Sequence, residues 1–440
     1  MTEALRIGVA GLGNVGSSVV RMIARQDNVL TERCGRPVRV TAVSARDRGK
    51  DRNIDLSTYE WFDNPVDLAK HGNVDCVVEL VGGAEGAALG TVEAALASGK
   101  HVVTANKALL ARHGLALARV AESRGVALAF EASAAGGIPI VKTLREGLPG
   151  NNVGRIYGIL NGTCNYILSR MEMEGLTFDA CLAEAQRLGY AEADPTFDVE
   201  GFDTAHKLAI LTSLAFGTQI DADAIYIEGI SKITPLDLSM ARELGYRVKL
   251  LGVAERTSTG IEQRVHPTMV PRDSAIAQVM GVTNAVTIDA DAVRELTLIG
   301  PGAGGDATAS AVVADIADVA AGQMAPPFGR PVDRLEVAPR APMQRHEGGY
   351  YIRFTVHDRP GVAAGVATRM AQAEISLESI LQKRSESAAS KDPHGRSGAP
   401  VPLVLITYAA SESAIRSAVE DIIGDGLTVE PPQVIRIERE

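Results

Sequence analysis

The sequence predicts an α/β protein of three domains: a doubly wound parallel-sheet domain, a second α+β domain and a small C-terminal domain. Three observations lead to this prediction. The first 140 residues alternate apolar strand-like runs with helical segments, as parallel sheets with crossover helices do. Five of the 20 prolines then lie within residues 326–342, a density that blocks helices and interior strands. The elements after this segment follow the order βαββαβ.

The N-terminal domain, residues 1–140, alternates five predicted strands with three predicted helices. The strands are 5–10, 38–44, 74–81, 101–104 and 126–131, and the helices are 17–25, 90–98 and 108–124. This regular alternation is typical of a parallel sheet. A helix of small residues at 307–321, within the segment 301–325, is expected to pack back on this domain.

The second domain, residues 141–300, is predicted to hold a mixed sheet. Strand candidates at 155–160 and 263–270 lie between helix candidates at 178–188 and 204–216. Residues 326–347 are the predicted linker to the C-terminal domain, 348–440. Its ferredoxin-like βαββαβ order consists of strand 350–357, helix 361–373, strands 376–382 and 402–407, helix 412–423 and strand 434–437. A loop at 385–400 is predicted to be mobile.

Composition argues against several classes of function. With 54 acidic and 44 basic side chains the net charge is −10, which disfavours nucleic acid because phosphate binding needs a basic face. The chain has no apolar run near the ~18–20 residues that span a bilayer. Its four cysteines form no C-x-x-C pair, which argues against a zinc site or a disulfide framework. We expect a cytoplasmic protein with small-molecule partners and without nucleic-acid or membrane partners.

A glycine-rich loop directly follows the first predicted strand. It reads G-x-G-x-x-G and consists of Gly11, Leu12, Gly13, Asn14, Val15 and Gly16. Such glycines permit a tight turn and a close approach to a pyrophosphate, and the next helix offers its N-terminal N–H groups to the phosphates. The loop therefore predicts a Rossmann-type dinucleotide-binding domain. The alternative is a turn that only requires positive φ.

The end of the second strand indicates which nucleotide binds. An acidic residue there would bind the ribose 2′-hydroxyl and repel a 2′-phosphate. This sequence instead has Ser44 and Arg46, followed by Asp47, Arg48 and Lys50. A guanidinium can hold a phosphate in bidentate fashion, so Arg46 favours NADP over NAD. Asp47 keeps NAD possible, and the alternative is an exposed basic loop.

An acidic segment at residues 184–203 carries six acids and one base. Its part 189–195 is predicted to be an irregular loop, and such loops often carry functional groups. Asp203 and Lys207 are four residues apart on the next helix and share a face. By itself this could be a helix-stabilising ion pair worth about 0.3–0.5 kcal/mol. The acids could also hold a divalent metal, although no histidine cluster supports a transition metal.

Lys107 is a second candidate lysine. It follows Thr104, Ala105 and Asn106 directly after a predicted strand, at the carboxyl edge of the sheet where ligands bind. A positive charge at a helix start is mildly unfavourable against the helix dipole, which hints at a ligand. The alternative is an ordinary surface lysine.

Besides the glycine loop, four segments form an ordered set: residues 104–107, 130–140, 161–168 and 189–207, which read TANK, FEASAAGGIPI, NGTCNYIL and GYAEADPTFDVEGFDTAHK. In order and spacing, these segments resemble homoserine dehydrogenase over residues 5–325. The most specific of them ends at Lys207. The segment 358–362, DRPGV, resembles part of an ACT domain, a small amino-acid-sensing module.

The resemblance implies an NAD(P)-dependent oxidoreductase that interconverts L-homoserine and L-aspartate 4-semialdehyde in the biosynthesis of threonine, methionine and isoleucine. Residues 141–300 would form its catalytic and dimerisation domain. Lys207 would be the general acid/base at the substrate oxygen, and Lys107 would hold this oxygen near the cofactor. Four carboxylates would bind the substrate or support the site: Glu192, Asp203, Asp194 and Asp198.

The resemblance also implies a monovalent cation and a closing loop. The cation, usually sodium, would be held by Glu131 and by the backbone carbonyls of Ala134, Gly136 and Ile138. The segment 301–305, which includes Gly302, matches a family loop that closes over the nicotinamide end of the cofactor.

The expected chemistry agrees with these residue types. Hydride delivery to an aldehyde makes an alkoxide, which must be protonated or stabilised. A lysine amine can do both if burial or positive neighbours lower its pKa from about 10.4. Lys107 would lower the pKa of Lys207 in this way, while Asp203 would oppose the shift. The ammonium group of the substrate explains the acidic site.

Several alternatives stay open at this point. The chain could be another Rossmann dehydrogenase of amino acids or aldehydes, or a non-catalytic sensor of nucleotide and amino acid. The C-terminal domain could regulate activity, with L-threonine as the expected effector, or it could only mediate oligomerisation. A homodimer or homotetramer is expected because the second domain offers a self-complementary face.

Overall fold

A six-stranded parallel sheet forms the N-terminal part of the computed structural model, which describes residues 3–382 and 399–438. Its strands are β1 (Leu5–Ala10), β2 (Val38–Ser44), β3 (Glu60–Phe62), β4 (Cys76–Glu79), β5 (His101–Thr104) and β6 (Leu128–Ala129). They lie in the order β3-β2-β1-β4-β5-β6, as in doubly wound dinucleotide-binding sheets. The predicted Rossmann-type fold is therefore confirmed. Strand β3 was not predicted, because its three residues carry too little hydrophobic pattern.

Five helices connect these strands. They are α1 (Asn14–Arg25), α2 (Asp27–Cys34), α3 (Pro65–Lys70), α4 (Ala87–Ala97) and α5 (Lys107–Arg124). On α1, Val19, Val20 and Ile23 are buried against the sheet. Helices α2 and α3 were not predicted. Because α2 buries only Leu30 and Cys34, its apolar periodicity is too weak to be recognised.

A second, mostly antiparallel sheet follows. Its strands are β7 (Val153–Ile159), β8 (Tyr226–Ile227), β9 (Tyr246–Thr257), β10 (Gly260–Pro271), β11 (Thr283–Ala290) and β12 (Arg294–Pro301). The order is β12-β11-β7-β9-β10, and β8 pairs with β10 in parallel. This part of the chain also contains α6 (Ile140–Lys142), α7 (Gly162–Glu174), α8 (Phe178–Arg187), α9 (Thr196–Val199), α10 (Phe202–Phe216) and α11 (Pro235–Glu243).

The helix α12 (Gly305–Ala320) returns to the first sheet, as the sequence predicts. Its small and β-branched residues let it pack closely on α1, and Ala309, Val312 and Ile316 are fully buried there. The core on one face of the first sheet thus includes a helix that follows the second domain in the sequence. No helix among the described residues is long and apolar enough to cross a membrane.

The proline-rich segment 326–342 after α12 contains the short 3₁₀ helix Val332–Arg334 but neither an α-helix nor a strand. It runs along the second sheet through isolated bridges between Glu336 and Thr218 and between Arg340 and Ile261. Arg340 also forms a bidentate pair with Asp221, with both N–O distances 2.7 Å.

The C-terminal domain has the predicted βαββαβ order. Its elements are β13 (Glu347–His357), α13 (Val362–Gln372), β14 (Leu377–Gln382), β15 (Pro400–Thr407), the short β16 (Ala410–Ser411), α14 (Glu412–Gly424) and β17 (Gln433–Ile437). The strands lie antiparallel in the order β17-β13-β15-β14. Of the predicted mobile loop at 385–400, residues 385–398 lie outside the described residues.

Pairing of β10 with β17 joins the C-terminal sheet to the second sheet. The two strands run parallel, with Thr268 opposite Arg436 and Met269 opposite Ile437, so that one eleven-stranded sheet results. Sequence patterns identify strands but not this pairing, because neither strand differs from an ordinary interior strand.

A buried ion pair reinforces this junction. Asp237 on α11 accepts hydrogen bonds from Tyr351 Oη at 2.9 Å and from Arg353 Nε at 2.7 Å, both on β13. Asp237 is fully buried, and the positive charge of Arg353 compensates the cost of removing its carboxylate from water. The C-terminal domain is therefore held against the second domain by specific polar contacts as well as by strand pairing.

Candidate active site

The first component of the site is the carboxyl end of β5, which places Lys107. Asn106 caps α5 by accepting a hydrogen bond from the Leu109 N–H at 3.1 Å, and it donates to the Gly83 carbonyl at 2.7 Å. Asparagine is a favoured N-cap residue, so the sequence itself sets the start of α5 here. Lys107 is the first residue of this helix and lies at the edge of the sheet where ligands bind.

The second component is the start of α10, which carries Asp203 in its first turn and Lys207 in its second. Their i, i+4 spacing brings Lys207 Nζ within 2.6 Å of Asp203 Oδ2. Lys207 Nζ also donates to the Leu160 carbonyl at 2.7 Å. The amine is therefore held at two points, which an exposed helical ion pair would not be.

Asp203 joins the two components. Lys107 Nζ lies 2.9 Å from its Oδ1 atom, while Lys207 Nζ contacts its Oδ2 atom. The Asp203 carboxylate is almost fully buried and thus bridges two lysines, one from each sheet domain. The structure brings together the residues that the sequence analysis selected on separate segments.

Asn161, at the start of α7, orders the carboxylates around this bridge. Its Nδ2 atom donates to Asp203 Oδ2 at 2.9 Å and to Asp198 Oδ1 at 2.8 Å. Its Oδ1 atom accepts from the Cys164 N–H at 2.8 Å and thereby caps α7. Asn161 was not predicted as a site residue, although the motif NGT before a helical run is an N-cap signal.

The electrostatics of the cleft displace the pKa values of these groups. Burial lowers the pKa of Lys207 and the charge of Lys107 lowers it further, against the opposing effect of Asp203. Burial also acts to lower the pKa of Lys107, but the charge and the hydrogen bond of Asp203, together with the charges of Asp198 and Glu192, outweigh it and the net shift is upward. The pKa of Asp203 is held far below its ordinary value although burial opposes this, because both lysines stabilise its charge. Burial and the neighbouring Asp203 raise the pKa of Asp198.

The other two predicted carboxylates lie at the margin of the cleft. Glu192 is exposed and acts on Lys107 only through its charge. Asp194 is exposed and accepts a hydrogen bond from the Thr196 N–H at 3.1 Å, which orders the start of α9. Asp194 is thus a residue of the loop rather than a contact of the lysines. Within residues 3–382 and 399–438, no cluster of three His, Cys, Asp or Glu residues could hold a metal ion.

A cleft of about 550 Å³ lies at the N-terminus of α1, lined by the glycine loop and by Gly305. At Gly11, φ is 101° and an added Cβ would lie 2.5 Å from the Leu80 carbonyl oxygen, so only glycine fits. Gly13 is exposed, and no atom would approach an added Cβ within 4 Å. No described side chain caps the first turn of α1, which leaves its N–H groups available to a phosphate. These residues fit a bound dinucleotide.

Basic side chains surround the end of β2, next to this cleft. Arg46 is exposed, and Lys50 lines the cleft. Arg52 donates from Nε to the Leu12 carbonyl at 3.0 Å and from NH2 to the Asp47 carbonyl at 2.6 Å. Arg52 therefore ties the basic loop to the glycine loop, a role that the sequence analysis did not assign to it.

The predicted cation segment forms a buried turn between the two sheets. The carboxylate of Glu131 accepts hydrogen bonds from the N–H groups of Val141 at 3.0 Å and Lys142 at 2.7 Å. The Ile138 carbonyl accepts from the Ile140 N–H at 2.8 Å.

Two other carbonyls of this turn, those of Ala134 and Gly136, accept no hydrogen bond within the described part of the chain. Gly302 lies against the turn, because an added Cβ on Gly136 would be 2.3 Å from the Gly302 carbonyl oxygen. The turn is therefore in direct contact with the loop that was expected to close over the cofactor.

Comparison with protein families supports an assignment over most of the chain. Residues 139–317 match the family model for homoserine dehydrogenase, and residues 11–131 match the model for the NAD-binding domain of homoserine dehydrogenase. Residues 350–393 match the ACT domain model. The three matches follow the same order as the three domains expected from the sequence.

Individual relatives agree over the full length. The homoserine dehydrogenase of Pseudomonas aeruginosa is 44% identical over 423 residues, 95% of each chain. A solved homoserine dehydrogenase from Thiobacillus denitrificans is 41% identical with a TM-score of 0.91, over 99% of this chain and 98% of that one. A hyperthermophilic archaeal homoserine dehydrogenase in complex with NADPH is 28% identical with a TM-score of 0.62, over 72% of this chain and 97% of its own. The chain therefore belongs to the homoserine dehydrogenase family, NAD(P)-dependent oxidoreductases that act on a CH–OH group.

Proposed function

We propose that Lys207, Lys107 and Asp203 carry out the reaction of this family, the interconversion of L-homoserine and L-aspartate 4-semialdehyde. The observation that supports these roles is the single buried carboxylate that both lysines contact within 2.9 Å. Titratable groups with displaced pKa values that meet in one cleft are typical of active sites. A purely structural ion pair would not require a second lysine from another domain.

Lys207 acts as the general acid/base in this proposal. Burial and Lys107 lower its pKa, which raises the neutral fraction that can accept a proton. In the oxidative direction the amine takes the hydroxyl proton while the C–H bond of the carbinol carbon breaks. In the reductive direction the ammonium returns this proton to the alkoxide. An ammonium has three N–H donors and two are bound to Asp203 and Leu160, so the third is available to the substrate oxygen.

Lys107 stabilises the developing alkoxide. Its pKa is raised despite its burial, so it stays charged and can interact with negative charge on the substrate oxygen. Asp203 and Asp198, ordered by Asn161, offer negative charge for the substrate ammonium. Glu192 adds charge at the margin of the cleft, and Asp194 shapes the loop that carries these groups.

NADP is the proposed cofactor, with NAD as the alternative. When bound, the cofactor accepts or delivers the hydride. The G-x-G-x-x-G loop would hold its pyrophosphate at the start of α1, and Gly302 would lie near its nicotinamide end. Arg46 and Lys50, with no acidic residue at the end of β2, favour a 2′-phosphate. The archaeal relative that was solved with NADPH agrees with this preference.

A sodium ion is proposed at the turn 131–138. The carbonyls of Ala134 and Gly136 fit this role, because they are buried and accept no hydrogen bond within the described ranges. The Glu131 carboxylate is engaged with backbone N–H groups, so Glu131 would contribute its own carbonyl instead. A cation there would fix the turn against the loop of Gly302.

The C-terminal ACT domain is proposed to sense L-threonine and to reduce the activity when threonine accumulates. A role in the biosynthesis of threonine, methionine and isoleucine, in the cytoplasm, is part of this proposal. A homodimer or homotetramer is proposed as well, because β12 is an edge strand on which the apolar Ile299 is 55% exposed.

The experiment that tests the proposed chemistry follows the reduced nicotinamide by absorbance. Purified protein is supplied with L-homoserine and NADP⁺, then with NAD⁺, and L-serine serves as the control substrate. We expect turnover with homoserine and a higher kcat/KM with NADP⁺. Turnover that is equal with homoserine and serine would contradict the substrate assignment.

A further inference from the structure

Glu79 is a fully buried glutamate at the carboxyl end of β4, in the middle of the parallel sheet. On one side its backbone pairs with Ala10, the residue before the glycine loop, and on the other side with Thr104, the last residue of β5. The strand order reverses between β1 and β4, which is where ligands bind in such sheets. Glu79 therefore lies at the edge that receives the cofactor, although no step of the proposed reaction involves it.

The Glu79 carboxylate is held by hydrogen-bond donors and not by a base. Its Oε1 atom accepts from the Val81 N–H at 2.8 Å and the Gly82 N–H at 3.1 Å, and its Oε2 atom accepts from the Thr104 hydroxyl at 2.6 Å. Within residues 3–382 and 399–438, no lysine, arginine or histidine pairs with it, whereas the buried Asp237 is paired with an arginine. Because a buried carboxylate without a counter-charge is costly, stability alone does not account for Glu79.

The Oε1 atom of Glu79 fixes the segment 80–82, which follows β4. This segment packs directly against the glycine loop. An added Cβ on Gly11 would lie 2.5 Å from the Leu80 carbonyl oxygen and 3.0 Å from the Val81 nitrogen. Since Glu79 binds the N–H groups of this segment, it fixes the surface on which the proposed phosphate-binding turn rests.

The Oε2 atom of Glu79 is connected to the start of α5. Thr104 Oγ1 donates to this atom and accepts from the Asn106 N–H at 3.0 Å. Asn106 caps α5, and its Nδ2 atom donates to the Gly83 carbonyl at 2.7 Å. The hydrogen bonds thereby return to the segment after β4 and form a closed ring. Lys107 directly follows Asn106, so the ring joins the cofactor loop to this lysine.

We propose that Glu79 is a positioning residue, which sets the glycine loop and Lys107 in place relative to each other. Its Oε1 atom holds the segment 80–82 against the glycine loop. Its Oε2 atom, through Thr104 and Asn106, fixes the first turn of α5 and with it the base of the Lys107 side chain. This inference rests on the proposed function of Lys107 and adds the group that orients this lysine.

Two substitutions at Thr104 test the contact to α5. Thr104→Val keeps the shape but loses the hydroxyl, while Thr104→Ser keeps the hydroxyl. In Thr104→Val we expect kcat for homoserine oxidation to fall about tenfold, because Lys107 is misplaced. The rise of kcat/KM with pH should also move to higher pH, in the same direction as in Lys107→Met. Thr104→Ser should restore both, and Kd for NADPH, followed by its fluorescence, should be unchanged in either variant.

The matched control is Thr91→Val. Thr91 is a buried threonine of the same domain, and its hydroxyl donates to the Ala87 carbonyl within α4. Its removal should leave kcat, Kd for NADPH and the pH profile as in the wild type.

Two substitutions at Glu79 test the contact to the glycine loop. Glu79→Gln keeps an oxygen that can accept from the N–H groups of Val81 and Gly82, whereas Glu79→Leu has no acceptor. We expect Kd for NADPH to rise about tenfold in Glu79→Leu, because the segment 80–82 is released, and to change little in Glu79→Gln. An unchanged Kd in Glu79→Leu would overturn the proposal. If Glu79→Leu does not fold, the Thr104 variants decide.

The reference variant Lys107→Met separates this inference from the proposed function. If Lys107→Met loses activity while Thr104→Val keeps the kcat and pH profile of the wild type, the positioning role is wrong and the function of Lys107 stands. A loss of kcat in Thr104→Val without a shift of the pH profile, or without recovery in Thr104→Ser, would show a merely structural hydroxyl and also overturn the proposal. If Lys107→Met behaves as the wild type, the proposed function of Lys107 fails and this inference fails with it.

Discussion

Lys207 Nζ donates a hydrogen bond of 2.6 Å to Asp203 Oδ2, which lies one helical turn earlier on α10. Both side chains are largely shielded from solvent. The same spacing on an exposed helix would yield an ordinary ion pair. Here the Asp203 carboxylate is shared with Lys107, and the Leu160 carbonyl fixes the amine on its other side. The contact is therefore part of the cleft in which both sheet domains meet.

Removing the Lys207 amine should abolish most of the catalysis. In Lys207→Ala we expect kcat/KM for homoserine to fall by about 10²–10⁴, the range for loss of a general acid/base. Binding of NADPH, followed by its fluorescence, should remain because Lys207 does not line the nucleotide cleft. Lys70→Ala serves as the control for loss of an exposed lysine. Turnover within a few fold of the wild type would refute the assignment.

The pH dependence should respond to the two charges beside Lys207. Homoserine oxidation needs the neutral amine, so kcat/KM should rise with pH until Lys207 has lost its proton. Lys107 lowers the pKa of Lys207, hence Lys107→Met should move this rise to higher pH. Asp203 raises the pKa of Lys207, hence Asp203→Asn should move it to lower pH. Shifts in the same direction for both variants, measured as normalised pH–rate profiles, would be inconsistent with this model.

Asn161 offers a way to separate ordering of the carboxylates from helix capping. Asn161→Ser keeps an oxygen that can cap α7 but loses the Nδ2 donor to Asp198 and Asp203. We expect Asn161→Ser to lower kcat/KM about tenfold with little change in the urea midpoint. Asn161→Ala should lower both, by about 1 kcal/mol in stability. Equal kinetics for the wild type and Asn161→Ser would show that Asn161 only caps the helix.

Local sequence patterns predict which residues belong to this site, but they do not predict how these residues contact each other. The lysines and Asp203 were predicted because each belongs to a specific segment, TANK or FDTAHK. Their meeting on one carboxylate could not be read from the sequence, since it depends on how the two sheets face each other. Asn161 was not predicted, because the sequence pattern of an N-cap asparagine is the same whether or not its amide group also binds carboxylates of an active site.

The fold shows the same division between local and long-range information. The strand bounds at Leu5–Ala10 and Val38–Ser44 agree with the prediction, because alternation and flanking glycines are local signals. Pairing of β10 with β17 was not predicted, although it joins the C-terminal sheet to the second sheet. Pairing between strands of different domains does not change the residue pattern of either strand, so it can be identified only from the structure.

The cofactor preference can be tested at one exposed side chain. Arg46 lies at the end of β2, where a 2′-phosphate would be recognised. Arg46→Asp should raise KM for NADPH far more than for NADH, because it replaces an attraction by a repulsion for this phosphate. Arg242→Asp, an exposed arginine on α11, is the matched control. Equal effects on both cofactors would refute the role of Arg46.

The junction between the ACT and catalytic domains should depend on Asp237. Asp237→Ala leaves the Arg353 guanidinium without its buried carboxylate and removes the acceptor of Tyr351. Breaking one partner of a buried pair costs about 3–5 kcal/mol, so the free energy of unfolding in urea should fall by this amount. Asp425→Ala is the matched control, because Asp425 pairs with Arg369 at the protein surface and solvent screens that pair. If both variants shift the unfolding midpoint equally, the buried pair does not stabilise the junction more than a surface pair does.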